Sequence, residues 1–175
     1  MPSAIVTTIG SASANSYVTE AEAETFFDDQ PNATAWEDGD DDEKTRSLIA
    51  AASRLQRENW IGSRVDSTQK LAWPRVDAAK PDGVTGGFFG STGMGWGNIE
   101  VYASTEIPQE VKDAQCLLAF SMLNGYGQAN GSTVTSFSDD KMSVTYGATR
   151  SETVLPEDVT RLLAPLIQGP QLRRA

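Results

Sequence analysis

Few side chains in this sequence could do chemistry. Its 175 residues include no histidine. Imidazole acid–base catalysis, imidazole metal ligation and the Ser-His-Asp triad are therefore excluded. The one thiol, Cys116, stands beside Leu117, Leu118 and Phe120. That setting suits a buried structural cysteine better than a nucleophile, and one cysteine forms no intrachain disulfide. Asp38, Asp40, Asp41 and Asp42 gather charge for a calcium ion but miss the EF-hand spacing, with its central glycine and terminal bidentate Glu. A solvated acidic loop is the better reading. Asp139-Asp140 fits a turn rather than an acid–base pair. Gly93-Met94-Gly95-Trp96-Gly97 spaces glycines by two, yet lacks the strand, helix and Lys-Ser/Thr of a phosphate loop. Residues 54–75 interleave five Lys and Arg with Trp60 and Trp73, a pattern that nucleic-acid binders also show. The plainer reading makes Trp60 and Trp73, with Leu118, anchors of the core. No catalytic residue, cofactor or metal site is expected, and nothing asks for an enzyme.

Charge sharpens this. The chain carries 14 Lys and Arg against 24 Asp and Glu, a formal net of −10. Residues 1–43 hold eleven of the acids and no Lys or Arg; the remainder is nearly balanced. An acidic chain is a poor coat for nucleic acid, because that affinity comes mostly from Lys and Arg displacing counterions. No basic-then-apolar leader opens the sequence, and no apolar run approaches the roughly 20 residues of a membrane span. The expectation is a soluble protein made in a reducing cytoplasm.

The elements that must position these residues follow from periodicity. Ala4–Ile9 is β-branched and predicts a short strand. Thr19 and Glu22 form a capping box for a helix to about Asp29. Residues 36–43 read as an acidic loop. A second helix is expected from Asp42 to Trp60, with Leu48, Ile49, Ala52 and Leu55 on one face and Gly62 as its C-terminal cap. Residues 76–104 read as a loop excursion, because seven of the fifteen residues 83–97 are glycine. Its Phe88, Phe89, Met94 and Trp96 are candidate anchors for a partner. Pro108 opens a helix apolar around its circumference from Val111 to Leu123, hence buried. Residues 133–137 and 141–146 predict a hairpin turning at Ser138-Asp139-Asp140. Pro156 opens a last helix with Val159, Leu162, Leu163 and Leu166 on one face, and residues 169–175 form a tail. The predicted fold is mainly α: one domain over 1–175, a small bundle of three to four helices with a short β-hairpin and a long Gly-rich loop.

Five segments, taken in order, carry a resemblance. They are Ser16-Tyr17-Val18-Thr19 with Ala21-Glu22-Ala23 and Phe26-Phe27; Leu48-Ile49-Ala50-Ala51-Ala52 to Trp60-Ile61-Gly62; Gln69-Lys70-Leu71-Ala72-Trp73-Pro74-Arg75; Ile107-Pro108-Gln109-Glu110-Val111-Lys112-Asp113-Ala114; and Leu155-Pro156-Glu157-Asp158-Val159 to Leu162-Leu163-Ala164-Pro165. The series resembles the head-to-tail adaptors, or connectors, of tailed-bacteriophage necks, a group often labelled DnaT-like single-stranded DNA-binding proteins. It covers most of the chain outside 76–104 and includes no catalytic motif. The resemblance implies a virion subunit, assembled in the host cytoplasm. Copies of it would form a homo-oligomeric, commonly dodecameric ring below the portal protein. The ring would extend the channel for double-stranded DNA without gripping it, and would offer a platform to the next neck or tail-completion protein. No membrane is involved. The C-terminal segment of such adaptors reaches the portal, which implies docking roles here for Leu166, Ile167, Leu172, Arg173 and Arg174. The label itself implies the alternative, a single-stranded DNA-binding replication accessory.

Overall fold

A computed structural model describes residues 1–85, 98–125, 136–139, 142–145 and 155–168. Helix α1 (Glu20–Asp28) starts at the predicted capping box: Thr19 Oγ1 accepts from the Glu22 amide, and the Glu22 carboxylate accepts from the Thr19 amide. Asp40 and Glu43 repeat the device at the start of α3 (Asp41–Leu55). Between them the expected acidic loop is in part a short helix, α2 (Thr34–Glu37). Its reason is Trp36, which is buried and stacks on Phe27 at 4.4 Å between ring centroids.

Helix α3 stops at Leu55, short of the expected Trp60. The Trp60 indole N–H donates to the Leu55 carbonyl at 3.0 Å, so the side chain caps the helix that its backbone was expected to continue. Gly62 accordingly caps no helix. It sits at φ +68°, where an added Cβ would lie 2.4 Å from the Val76 carbonyl oxygen and 2.8 Å from the Ala78 nitrogen. This close approach brings β1 (Ser63–Arg64) against β2 (Arg75–Val76).

Three further expectations change. Residues 4–9 form no strand, because Asn15 takes the place of a strand partner. The Val6 amide donates to Asn15 Oδ1 at 2.7 Å, and the Asn15 amide and Nδ2 donate to the carbonyls of Val6 and Ala4. The segment read as a loop excursion contains an antiparallel ribbon, β3 (Ala79–Thr85) with β4 (Asn98–Val101). Glycine density masked the apolar flanks: Tyr102 is buried on one face of the chain leaving β4, while Ile99 and Val101 point outward. The predicted hairpin is present as β5 (Ser136–Asp139) and β6 (Met142–Thr145), but Asp139 pairs with Met142 and is a strand residue, not part of the turn.

Helix α4 (Gln109–Leu123) begins after Pro108 and packs against α1, α2, α3 and α5 (Glu157–Leu163). It is the buried central helix that its all-round apolar pattern predicts; Val111, Ala114, Cys116, Leu118 and Ala119 are buried. Helix α5 ends at Leu163, and Pro165 falls in the 3-10 turn that follows it, Ala164–Leu166. Among the described residues the fold is therefore mixed: five helices, that turn and three two-stranded antiparallel ribbons. It is not a plain bundle with one hairpin.

Candidate functional site

Among the described residues, those whose types could do chemistry do not converge; Gly93 to Gly97 and Asp140 lie outside the described residues. Asp38, Asp40 and Asp41 are exposed. Asp40 is the cap of α3, and Asp42 pairs with Arg46 at 3.1 Å and with the Met1 amino group at 3.9 Å. Among the described residues no three His, Cys, Asp or Glu side chains gather as metal ligands. Cys116 is buried, and that burial, reinforced by Asp113 and Glu22, pushes its thiol up to about 12. A thiol held protonated at neutral pH is a poor nucleophile.

What does converge is a buried polar frame built from the segments that carry the resemblance. Gln115, fully buried on α4, is its centre. Its Oε1 accepts from the Tyr17 amide at 2.8 Å, and its Nε2 donates to Ser16 Oγ at 2.7 Å and to the Leu48 carbonyl at 2.9 Å. One side chain thus joins the N-terminal segment, α3 and α4. The Tyr17 hydroxyl then accepts from the amides of Ala72 and Trp73 at 3.0 and 3.3 Å. Burial pushes this phenol up to about 12, against the opposing effect of those two amides. Gln69 Nε2 donates to the carbonyls of Leu71 and Pro74, the latter following a cis Trp73–Pro74 bond. Arg75 closes the loop: its guanidinium donates to the carbonyls of Ile61, Gly62 and Ala72 at 2.6, 2.7 and 3.1 Å. Gln115 escaped the sequence reading. The signal for it was a lone amide inside an otherwise apolar helix, which burial obliges to find partners.

The frame also decides where the aromatics go. Trp60 and Trp73 meet edge to face at 6.0 Å, and Trp73 meets Tyr102 likewise at 5.5 Å. Trp60, Trp73 and Leu118 all lie in the core. Leu166 lies there too, fully buried, and Ile167 bridges to Trp60. Those two docking candidates are therefore held by the fold rather than carried on a free tail. Leu172, Arg173, Arg174 and the loop candidates Phe88, Phe89, Met94 and Trp96 lie outside the described residues.

The outer surface is acidic and its cations are largely occupied. Six of the ten described Lys and Arg side chains hold a carboxylate: Lys44, Arg46, Arg54, Lys80, Lys112 and Arg161. Arg75 is spent on carbonyls, which leaves Arg57, Arg64 and Lys70 exposed without a carboxylate. No tryptophan among the described residues is exposed beside them; Trp36, Trp60 and Trp73 are all buried. The exposed large apolar side chains include Ile99 and Val101, 63% and 47% accessible, on the outer face of the β3–β4 ribbon. No helix among the described residues is long and apolar enough to cross a membrane.

The acidic side chains carry a pH prediction. The Thr19 amide, with Lys112, holds Glu22 below the ordinary value of 4.5, and Lys44 does the same for Glu24. Both groups are depressed in the folded state, so their stabilisation is complete above about pH 4.5 and is lost as pH falls through their folded values. Urea midpoints should be flat from pH 7 to 5 and decline below pH 4.5. In a Glu22→Gln, Glu24→Gln variant that decline should be shallower.

Among the described residues the geometry defines a small mixed fold with a buried polar frame and no assembled catalytic group. A family model described as "Putative DnaT-like ssDNA binding protein" matches residues 3–86 and 93–175. The chain belongs to that family. The stretch it leaves unmatched inside the chain, 87–92, is far shorter than the 76–104 segment expected to depart from the pattern. No curated protein and no solved structure matches the chain.

Proposed function

We propose that this chain is a structural head-to-tail adaptor of a phage neck. In this reading its copies form a ring below the portal, extend the DNA channel and dock the next neck or tail-completion protein. The observation that carries this is the state of the charges. A wall past which DNA slides must not hold phosphates. Here the acidic residues of 20–43 are exposed, apart from a half-buried Asp42, and most described cations are already paired. Like charges on such a wall act over about 8 Å at physiological salt. The β3–β4 ribbon, whose edges pair with no other described strand and whose Ile99 and Val101 are exposed, supplies a surface suited to a neighbouring chain. The order of motifs supports the same reading by resemblance.

The family description favours a second reading, binding of single-stranded DNA. That function ordinarily needs a basic groove and exposed aromatic rings for bases to stack on. Among the described residues, Arg57, Arg64 and Lys70 are the exposed cations that hold no carboxylate, Arg64 donating to the Gln69 carbonyl, and the nearby tryptophans are buried. A fluorescence-anisotropy titration with a labelled single strand at about 50 mM salt separates the two. The adaptor reading predicts no saturable binding up to about 100 µM, the weak end of non-specific affinity. Micromolar binding that weakens with salt and is lost in an Arg57→Gln, Arg64→Gln, Lys70→Gln variant would overturn it in favour of the second.

A further inference from the structure

Helix α1 is fastened to the body by a small apolar contact, in which Phe27 stacks on Trp36, and by charge. It fully buries only Ala23 and Phe27. Three of its glutamates are each held by a side chain from another helix. Glu20 accepts a hydrogen bond from the Thr45 hydroxyl of α3. Glu22 pairs with Lys112 of α4 at 2.9 Å, and Glu24 with Lys44 of α3 at 2.8 Å. Lys44 also lies 5.4 Å from the centre of the Trp36 ring. The other charged groups at this seam are Asp29, just after α1, and Asp113 of α4. With Val18, Phe26, Glu22 and Lys112 they line a groove of about 350 Å³ that also includes Cys116.

We infer that α1 is a charge-latched flap over the Cys116 face of α4. It opens locally when the Glu22–Lys112 and Glu24–Lys44 pairs are screened or neutralised, while α3 and α4 stay folded. A nine-residue helix is too short to persist by itself, so its order depends on docking. Half-exposed ion pairs are the part of that docking most sensitive to salt. The chain on either side is pinned, by Tyr17 on Gln115 and by buried Trp36, so opening is confined to the segment between them. Protonation of the two glutamates removes the attraction to the lysines but also changes the charge beside Asp29 and Asp113 of the groove, so salt is the cleaner trigger.

Cys116 reports the opening. Its thiolate attacks an aromatic disulfide reagent, forms a mixed disulfide and releases a coloured thiolate, whose appearance gives the rate. At fixed pH 8 the wild-type rate should rise about tenfold between 50 mM and 1 M salt. The Glu22→Gln, Glu24→Gln variant should react about tenfold faster than wild type in low salt and show no further response to salt. Both rates should depend on urea far more weakly than global unfolding does. Labelling that ignores salt, or that follows the full urea dependence of global unfolding in either protein, would overturn the flap.

Discussion

A Gln115→Leu variant is expected to lose about 3 kcal/mol of unfolding free energy, read from urea titrations followed by tryptophan fluorescence. Leucine fills a similar volume, so the loss is not chiefly one of packing. It arises because the buried Tyr17 amide loses its acceptor while the Ser16 hydroxyl and the Leu48 carbonyl each give up one hydrogen bond; Ser16 Oγ keeps those to the Val18 carbonyl and amide. An unsatisfied buried polar group costs about 1–3 kcal/mol. The hydrophobic gain of a leucine on α4 offsets part of that sum. Release of Tyr17 should also free the Ala72 and Trp73 amides that its hydroxyl orders. A loss below about 1 kcal/mol would show that water or a rearranged backbone satisfies these groups, and that Gln115 is not the centre of the frame.

Arg75→Met is expected to cost about 3 kcal/mol, and Arg75→Lys nearly as much. The guanidinium reaches three carbonyls in two directions at once, on Ile61, Gly62 and Ala72. An ammonium on a flexible stem cannot reproduce that fork. Burial lowers the affinity of Arg75 for its proton, as does neighbouring Arg64, yet guanidinium stays charged across the accessible range. Its contribution should therefore not vary between pH 5 and 9. Full rescue by lysine would contradict the multi-carbonyl role and leave only a need for positive charge.

These two residues show what was legible in the sequence. Local signals were read well. The Thr19–Glu22 box, Pro108 and Pro156 place helix starts correctly, because caps and prolines act through their immediate neighbours. The circumferential apolar run of α4 correctly marked the central helix. The misses are residues whose roles are set by distant partners. Asn15 replaces a strand for Val6, Trp60 caps α3 with its ring, and Gln115 spans to Leu48 across 67 positions. Periodicity carries none of that information. Glycine density misled in the opposite way, since Ala79–Thr85 and Asn98–Val101 pair with each other on either side of it. For function, the −10 charge matters less as a sum than as a pairing pattern: most described cations are paired with carboxylates.

Assembly with the portal tests the central claim most directly. The proposed adaptor role predicts that native mass spectrometry of this chain mixed with a cognate portal protein shows a portal ring carrying a full ring of this subunit. Negative-stain images should show the second ring stacked coaxially below the first. A chain that stays monomeric and never associates with the portal or with neck components would contradict the account.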